Sequence, residues 1–182
     1  MGFEVIDITN YYPRQSDLFL FDTSIWMYLF CPLGNYRVYE QRSFSSFLEK
    51  ARSSRSSIFM SSLVLSEFAN AYLRLDFALW MKTENLKGAQ YKRDFVGTDR
   101  YKKTLQLLIP TLKKIMSFCE KGSDNFSHLD IDKILSHFQS IDFNDSYYLE
   151  LSKDNNFKIV TADYDFVKYK NHGLGIITIP RG

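Results

Sequence analysis

The chain has 182 residues, 45% of them apolar and 16% aromatic, which suits one domain able to bury a substantial core and excludes a disordered protein. Its 23 basic and 21 acidic residues leave a formal charge of +2, so overall charge points to no particular partner. No uninterrupted apolar run is long enough to span a bilayer, and the expectation is a chain with no membrane partner.

The acid-bearing start Met1-Gly2-Phe3-Glu4-Val5-Ile6-Asp7 lacks the basic lead of a secretory signal. Cys31 and Cys119 have no metal-ligand spacing, so reduced thiols in the cytoplasm are the simplest expectation. Residues 1–17, with Tyr11, Tyr12 and Pro13 among polar neighbours, read as an N-terminal arm. Residues 18–182 read as a single domain. Its first strand is the apolar run Leu18-Phe19-Leu20-Phe21, which ends on Asp22. A short helix follows from Ser24 to Phe30 and stops before Pro32. Phe44, Phe47, Leu48 and Ala51 share one face of a helix over Val38 to Ala51. Ile58-Phe59-Met60 is a second strand, and Ser61 or Ser62 caps the helix that carries Glu67.

Residues 76–124 read as a helical insertion, two pieces separated by a loop around Gly88 and Gly97. Asp99 is the expected cap of the second piece. Pro110 either opens a further helix or lies within a longer one. Ile131, Ile134, Leu135 and Phe138 mark another helix, and Asn144 is the expected cap of one running to about Lys153. Phe157-Lys158-Ile159-Val160-Thr161 is a strand that leads to Asp163, and Gly175-Ile176-Ile177-Thr178-Ile179 is the last. Strands alternating with helices predict an α/β fold with a parallel sheet and right-handed crossovers.

Open α/β sheets bind ligands beyond the carboxyl ends of their strands. Asp22 and Asp163 end strands there, Asp145 lies in the first turn of a helix, Glu67 follows the second strand, and Asp165 is two residues past Asp163. Gathered acids raise one another's pKa unless a cation neutralises them. Mg²⁺ or Mn²⁺, which take oxygen ligands and leave places for water and phosphate, answer that need and suit phosphodiester hydrolysis. The same acids also admit a plainer account, in which Asp142 and Asp145 are helix caps, the strand-terminal aspartates are turn residues, and the others solvate the surface.

The ordered set Phe21-Asp22-Thr23-Ser24, Leu65-Ser66-Glu67, Asp142-Phe143-Asn144-Asp145 and Val160-Thr161-Ala162-Asp163-Tyr164-Asp165-Phe166, with the terminal Gly-Ile-Ile-Thr-Ile, resembles the PIN-domain ribonucleases over about residues 18–179. The resemblance implies a three-layer α/β/α sandwich with a central parallel sheet, and a metal-dependent endoribonuclease. It maps Asp22, Glu67, Asp145 and Asp163 to catalytic and metal-holding positions, with Asp165 a further metal candidate. Thr161 corresponds to the family's hydroxyl beside the last acid, and Thr23 or Ser24 would orient Asp22. The best-known small members are VapC-type toxins of toxin–antitoxin pairs, which implies RNA as substrate and an antitoxin protein as candidate partner. This chain departs from compact toxins in its 76–124 insertion and its N-terminal arm. A structure-specific DNA nuclease on the same site and a non-catalytic PIN-like interaction module remain the alternatives.

Within the insertion, Lys92, Arg93, Arg100, Lys102 and Lys103 alternate with Tyr91, Phe95 and Tyr101. This pattern reads equally as an RNA track and as a solvated helical face with its aromatics turned inward. His128, His137 and His172 are scattered without ligand spacing and are expected to be structural or exposed. Aromatics of the helices are core by default, and any left exposed would admit a homodimer or an antitoxin groove.

Overall fold

The computed structural model describes residues 4–169 and 173–180. It contains one six-stranded, all-parallel sheet in the order β1-β6-β5-β2-β3-β4. The strands are β1 (Glu4–Asp7), β2 (Leu18–Phe21), β3 (Ser57–Met60), β4 (Glu120–Lys121), β5 (Lys158–Val160) and β6 (Gly175–Thr178). The helices are α1 (Thr23–Phe30), α2 (Val38–Ser53), α3 (Ser62–Thr83), α4 (Asp99–Met116), α5 (Ile131–Phe138), α6 (Phe143–Asn155) and α7 (Asp165–Lys168), with a single π-helical turn over Tyr91–Phe95. From β2 the chain steps outward through α1 and α2 to β3, and through α3 and α4 to β4. It then returns through α5 and α6 to β5, and steps through α7 to β6. Right-handed crossovers therefore put α1–α4 on one face and α5–α7 on the other, and the helices pack in those groups. This is the expected α/β/α sandwich.

The core follows from the runs that built the reading. Phe19, Leu20, Phe21, Ile159, Val160, Ile176 and Ile177 are essentially inaccessible, because the central strands are covered on both faces. Phe47 of α2 sets its ring against Phe19 and Phe21, with centroids 5.4 and 5.9 Å apart. Trp26 of α1 packs on Phe21 and donates its indole N–H to the Phe21 carbonyl at 3.2 Å, so the helix after the first strand is fixed to that strand's end.

Three local readings differ from the sequence expectations. Part of the segment read as an arm is a strand: residues 4–7 pair in parallel with β6, and the half-exposed Glu-Val-Ile-Asp composition of an edge strand carries no buried-run signal. Thr98, not Asp99, caps α4 through its hydroxyl. Asp142, not Asn144, caps α6, accepting from the Asp145 amide at 2.9 Å. Both misplacements are of one or two residues, within the ordinary uncertainty of a helix end. Pro110 lies within α4, which continues through it. His172 falls outside the described residues.

Residues 76–124 are folded and largely helical, running from the last turns of α3 through α4 to β4. Phe95 is fully buried among Phe77, Trp80, Tyr91 and Tyr101, so on this face the aromatics do turn inward. Asp76, 3% exposed, receives two hydrogen bonds from Arg100 at 2.6 and 3.0 Å and one from the Thr104 hydroxyl at 2.6 Å. Arg100 is thereby engaged in joining α3 to α4. Arg93 is held by its neighbour Asp94, whereas Lys92, Lys102 and Lys103 are exposed.

A candidate acidic active site

Each strand of the central trio delivers one part of an acidic centre to the carboxyl edge of the sheet. The backbone of Asp22 continues the β2–β5 ladder, its N–H donating to the Val160 carbonyl at 2.9 Å, and its side chain then caps α1. Thr161 continues the β5–β6 ladder through its own N–H to Ile177. The helix after β3 brings Glu67, and α6 brings Asp145 in its first turn, where the helix dipole favours negative charge.

Two hydroxyls lock the strand-end acids together. Asp22 Oδ2 accepts from Ser24 Oγ at 2.6 Å and from Thr161 Oγ1 at 2.9 Å. Thr161 Oγ1 also accepts the Asp163 amide at 2.8 Å, and Ser24 Oγ accepts the Ala162 amide at 3.0 Å. One threonine thus fixes Asp22 and the backbone of Asp163 at once. Of the two hydroxyls expected beside Asp22, Ser24 takes that place. Thr23 instead donates to Glu67 Oε2 at 2.8 Å, which also accepts from Tyr148 at 2.7 Å. Tyr148 was not anticipated. Its position three residues after Asp145 on α6 puts it on the same helical face, and that spacing is the signal that could have found it.

The acids influence one another electrostatically. Asp145 is buried, and its carboxyl is pushed up to about 9, first by loss of hydration and then by the negative charges of Asp22, Asp142, Asp163 and Glu67. Burial pushes Asp22 up to about 6, with Glu67 adding to the rise while Ser24 and Thr161 oppose it. Burial and the bond to Glu67 drive the Tyr148 phenol far above its ordinary value, so it remains a hydrogen-bond donor. Asp165 stands apart: it is exposed, its carboxylate faces Lys168 at 3.1 Å, and its amide donates to Asp163 Oδ1.

Among the described residues, no three His, Cys, Asp or Glu side chains already stand as a metal-holding group. The donor chemistry nevertheless fits a hard divalent cation. It consists of carboxylate oxygens alone, and the neighbouring negative charges that add to burial in raising Asp145 are charges such an ion would offset. His137 belongs elsewhere, buried between Tyr169 at 2.7 Å and Glu150 at 2.8 Å, the structural role expected of it.

The PIN domain family model matches residues 19–171, and the chain belongs to the PIN domain family. PIN domains are nucleases, hydrolases that generally use divalent metals. A search of curated proteins finds no significant match. Among solved structures, the chain is similar to one in the crystal structure of VapBC2 from Rickettsia felis bound to a DNA fragment from their promoter. That likeness has a TM-score of 0.53 and 13% identity, covering 88% of this chain and 98% of that one. PAE2754 from Pyrobaculum aerophilum matches with a TM-score of 0.45 and 15% identity, covering 88% and 90%. At these identities the likeness is one of fold. No helix among the described residues is long and apolar enough to cross a membrane.

Proposed function

We propose that the chain is a divalent-metal-dependent endoribonuclease, the toxin of a toxin–antitoxin pair that works in the cytoplasm. The observation that carries the reading is the buried Asp145 carboxyl, under the charges of Asp22, Glu67 and Asp163, none of which has an ion pair among the described residues. A bound Mg²⁺ or Mn²⁺ would draw electron density from the phosphate and lower the pKa of a coordinated water. Asp22, Glu67, Asp145 and Asp163 are the residues that would hold it. The protein's own part is to fix these oxygens. Ser24 and Thr161 keep Asp22 from rotating, and Thr23 and Tyr148 do the same for Glu67. Asp165 and Lys168 line a depression with Ser24 and Asp163, where Lys168 would offer a cation to phosphate.

The reading of a toxin draws support from the VapBC2 neighbour, and the free thiols of Cys31 and Cys119 suit a reducing compartment. The test is cleavage of end-labelled RNA and DNA of matched sequence with Mn²⁺ or Mg²⁺. Asp22→Asn should remove several kcal/mol of transition-state stabilisation, about three powers of ten in rate, with the fold intact. Full activity in that variant would sink the assignment. Preferred cutting of DNA would move it to a DNA nuclease, and no cutting together with no Mn²⁺ binding would leave an interaction module. Co-purification with the product of a small adjacent reading frame tests the antitoxin.

A further inference from the structure

A cleft of about 370 Å³ opens beside the acidic centre, lined by Tyr28, Arg37, Tyr39, Ala162, Ile179 and Pro180 among others. It adjoins the depression formed by Ser24, Asp163, Asp165 and Lys168, with Tyr28 and Ala162 lining both. Ala162 is also the residue whose amide is held by Ser24, the hydroxyl that fixes Asp22. The floor of the cleft is therefore built by the same bonds that build the acidic site.

Its chemistry is unlike that of the acidic centre. The Arg37 side chain is 85% exposed, and its one ion pair, to Glu40, is long at 3.7 Å. Glu40, which also lines the cleft, accepts the Tyr28 hydroxyl at 2.7 Å on Oε2 and meets only Arg37 Nη1 through Oε1, so most of the guanidinium's donors face solvent. Tyr39 is 63% exposed in the first turn of α2, and Ile179 and Pro180 add apolar surface to the lining. A cation, an exposed aromatic face and an apolar wall within a nucleotide-sized volume are what an unpaired nucleotide requires. Phosphate takes the bidentate fork, and the base stacks.

We propose that this cleft is a subsite for one unpaired nucleotide next to the cleaved bond, with Arg37 contacting its phosphate and Tyr39 stacking on its base. The proposal rests on the nuclease reading for the position of the bond, but not for the cleft's affinity. A base turned into the cleft to stack on Tyr39 cannot at the same time be paired, so the cleft selects single strands. It gives the chain a preference for unpaired RNA that the acidic centre alone could not supply.

The experiment measures anisotropy of a fluorescein-labelled single-stranded 12-mer oligoribonucleotide and of its duplex, in EDTA so that binding is read without cleavage. Arg37→Ala should weaken binding of the single strand and reduce the slope of log affinity against log salt by about one. Tyr39→Ala should weaken it roughly fivefold to a hundredfold. Both side chains are exposed, and unchanged melting of the variants confirms that the fold is kept. The duplex should bind more weakly and be insensitive to Tyr39→Ala. Equal affinity and salt slope in the parent and the Arg37→Ala/Tyr39→Ala double variant, or no binding of the single strand by the parent, overturns the proposal. Failure of the two readings is distinguishable. A parent that binds through Arg37 and Tyr39 but never cleaves keeps the subsite and loses the nuclease. Cleavage with unchanged KM in the double variant does the reverse.

Discussion

Asp76, between α3 and α4, and Asp22 and Asp145, at the sheet edge, are all buried, and the two places meet the cost of burial in opposite ways. In the insertion, Asp76 is met by the Arg100 guanidinium and the Thr104 hydroxyl, so charge is balanced by charge. At the carboxyl edge of the sheet, Asp22 is met only by hydroxyls and an amide, and the Asp145 carboxyl lies under the influence of the negative charges of Asp22, Asp142, Asp163 and Glu67. The first arrangement is complete as it stands and joins two helices. The second is complete only with a cation from outside. Burial alone does not separate a structural carboxylate from a working one; the sign of its neighbours does.

The contrast can be broken at either end. Asp76→Ala should cost the most stability, about 3 kcal/mol, because it strands Arg100 against a buried surface, and the low end of the range applies since that arginine is a third exposed. Chemical denaturation measures it. A cost near zero would mean that α3 and α4 are held by their aromatic cluster alone.

The next effect is a dependence on pH. Unfolded, Asp145 ionises near its ordinary value of about 4, whereas in the fold it does so near 9. Between those limits the folded state keeps a proton that the unfolded state has lost. Stability of the metal-free protein should therefore fall as pH rises, and level off above about 9. Asp22 acts in the same direction up to about 6. The melting temperature should drop by roughly 5 °C or more from about pH 5 to about pH 8. Asp145→Asn should flatten the drop and raise the melting point at the alkaline end, and Mn²⁺ should do the same for the parent chain. A parent that grows more stable with pH over this interval contradicts the acidic centre. The smallest effect is expected from Thr161→Val, which removes the bond to Asp22 and the acceptor for Asp163 without changing size. Cleavage should fall roughly tenfold to a hundredfold, as when the supports of metal ligands are lost, with melting little changed.

The acids themselves were legible because a parallel sheet forces strand ends to one edge, and Asp22 and Asp163 are printed at the ends of apolar runs. Their supports were less so. Thr23 and Ser24 are adjacent hydroxyls with the same composition signal, and only the direction of α1 decides that one serves Glu67 and the other Asp22. Arg100 looked like a member of a basic track because its partner lies 24 residues away on another helix, a pairing that local pattern does not encode. β1 was missed for a related reason. An edge strand is covered on few sides, so its sequence need not be apolar, and its identity comes from the strand it joins.

That small strand has a practical consequence. Glu4–Asp7 occupies the outer side of β6, and its two acids sit where another chain would have to add. At the far edge β4 is only two residues long and ends on Lys121. A shortened protein beginning at Leu18 would keep every acid of the centre, yet it would expose the flat apolar ladder of Ile176 and Ile177 as an open template for self-association. Removing the first seventeen residues to obtain a tidier domain should therefore yield a less soluble one.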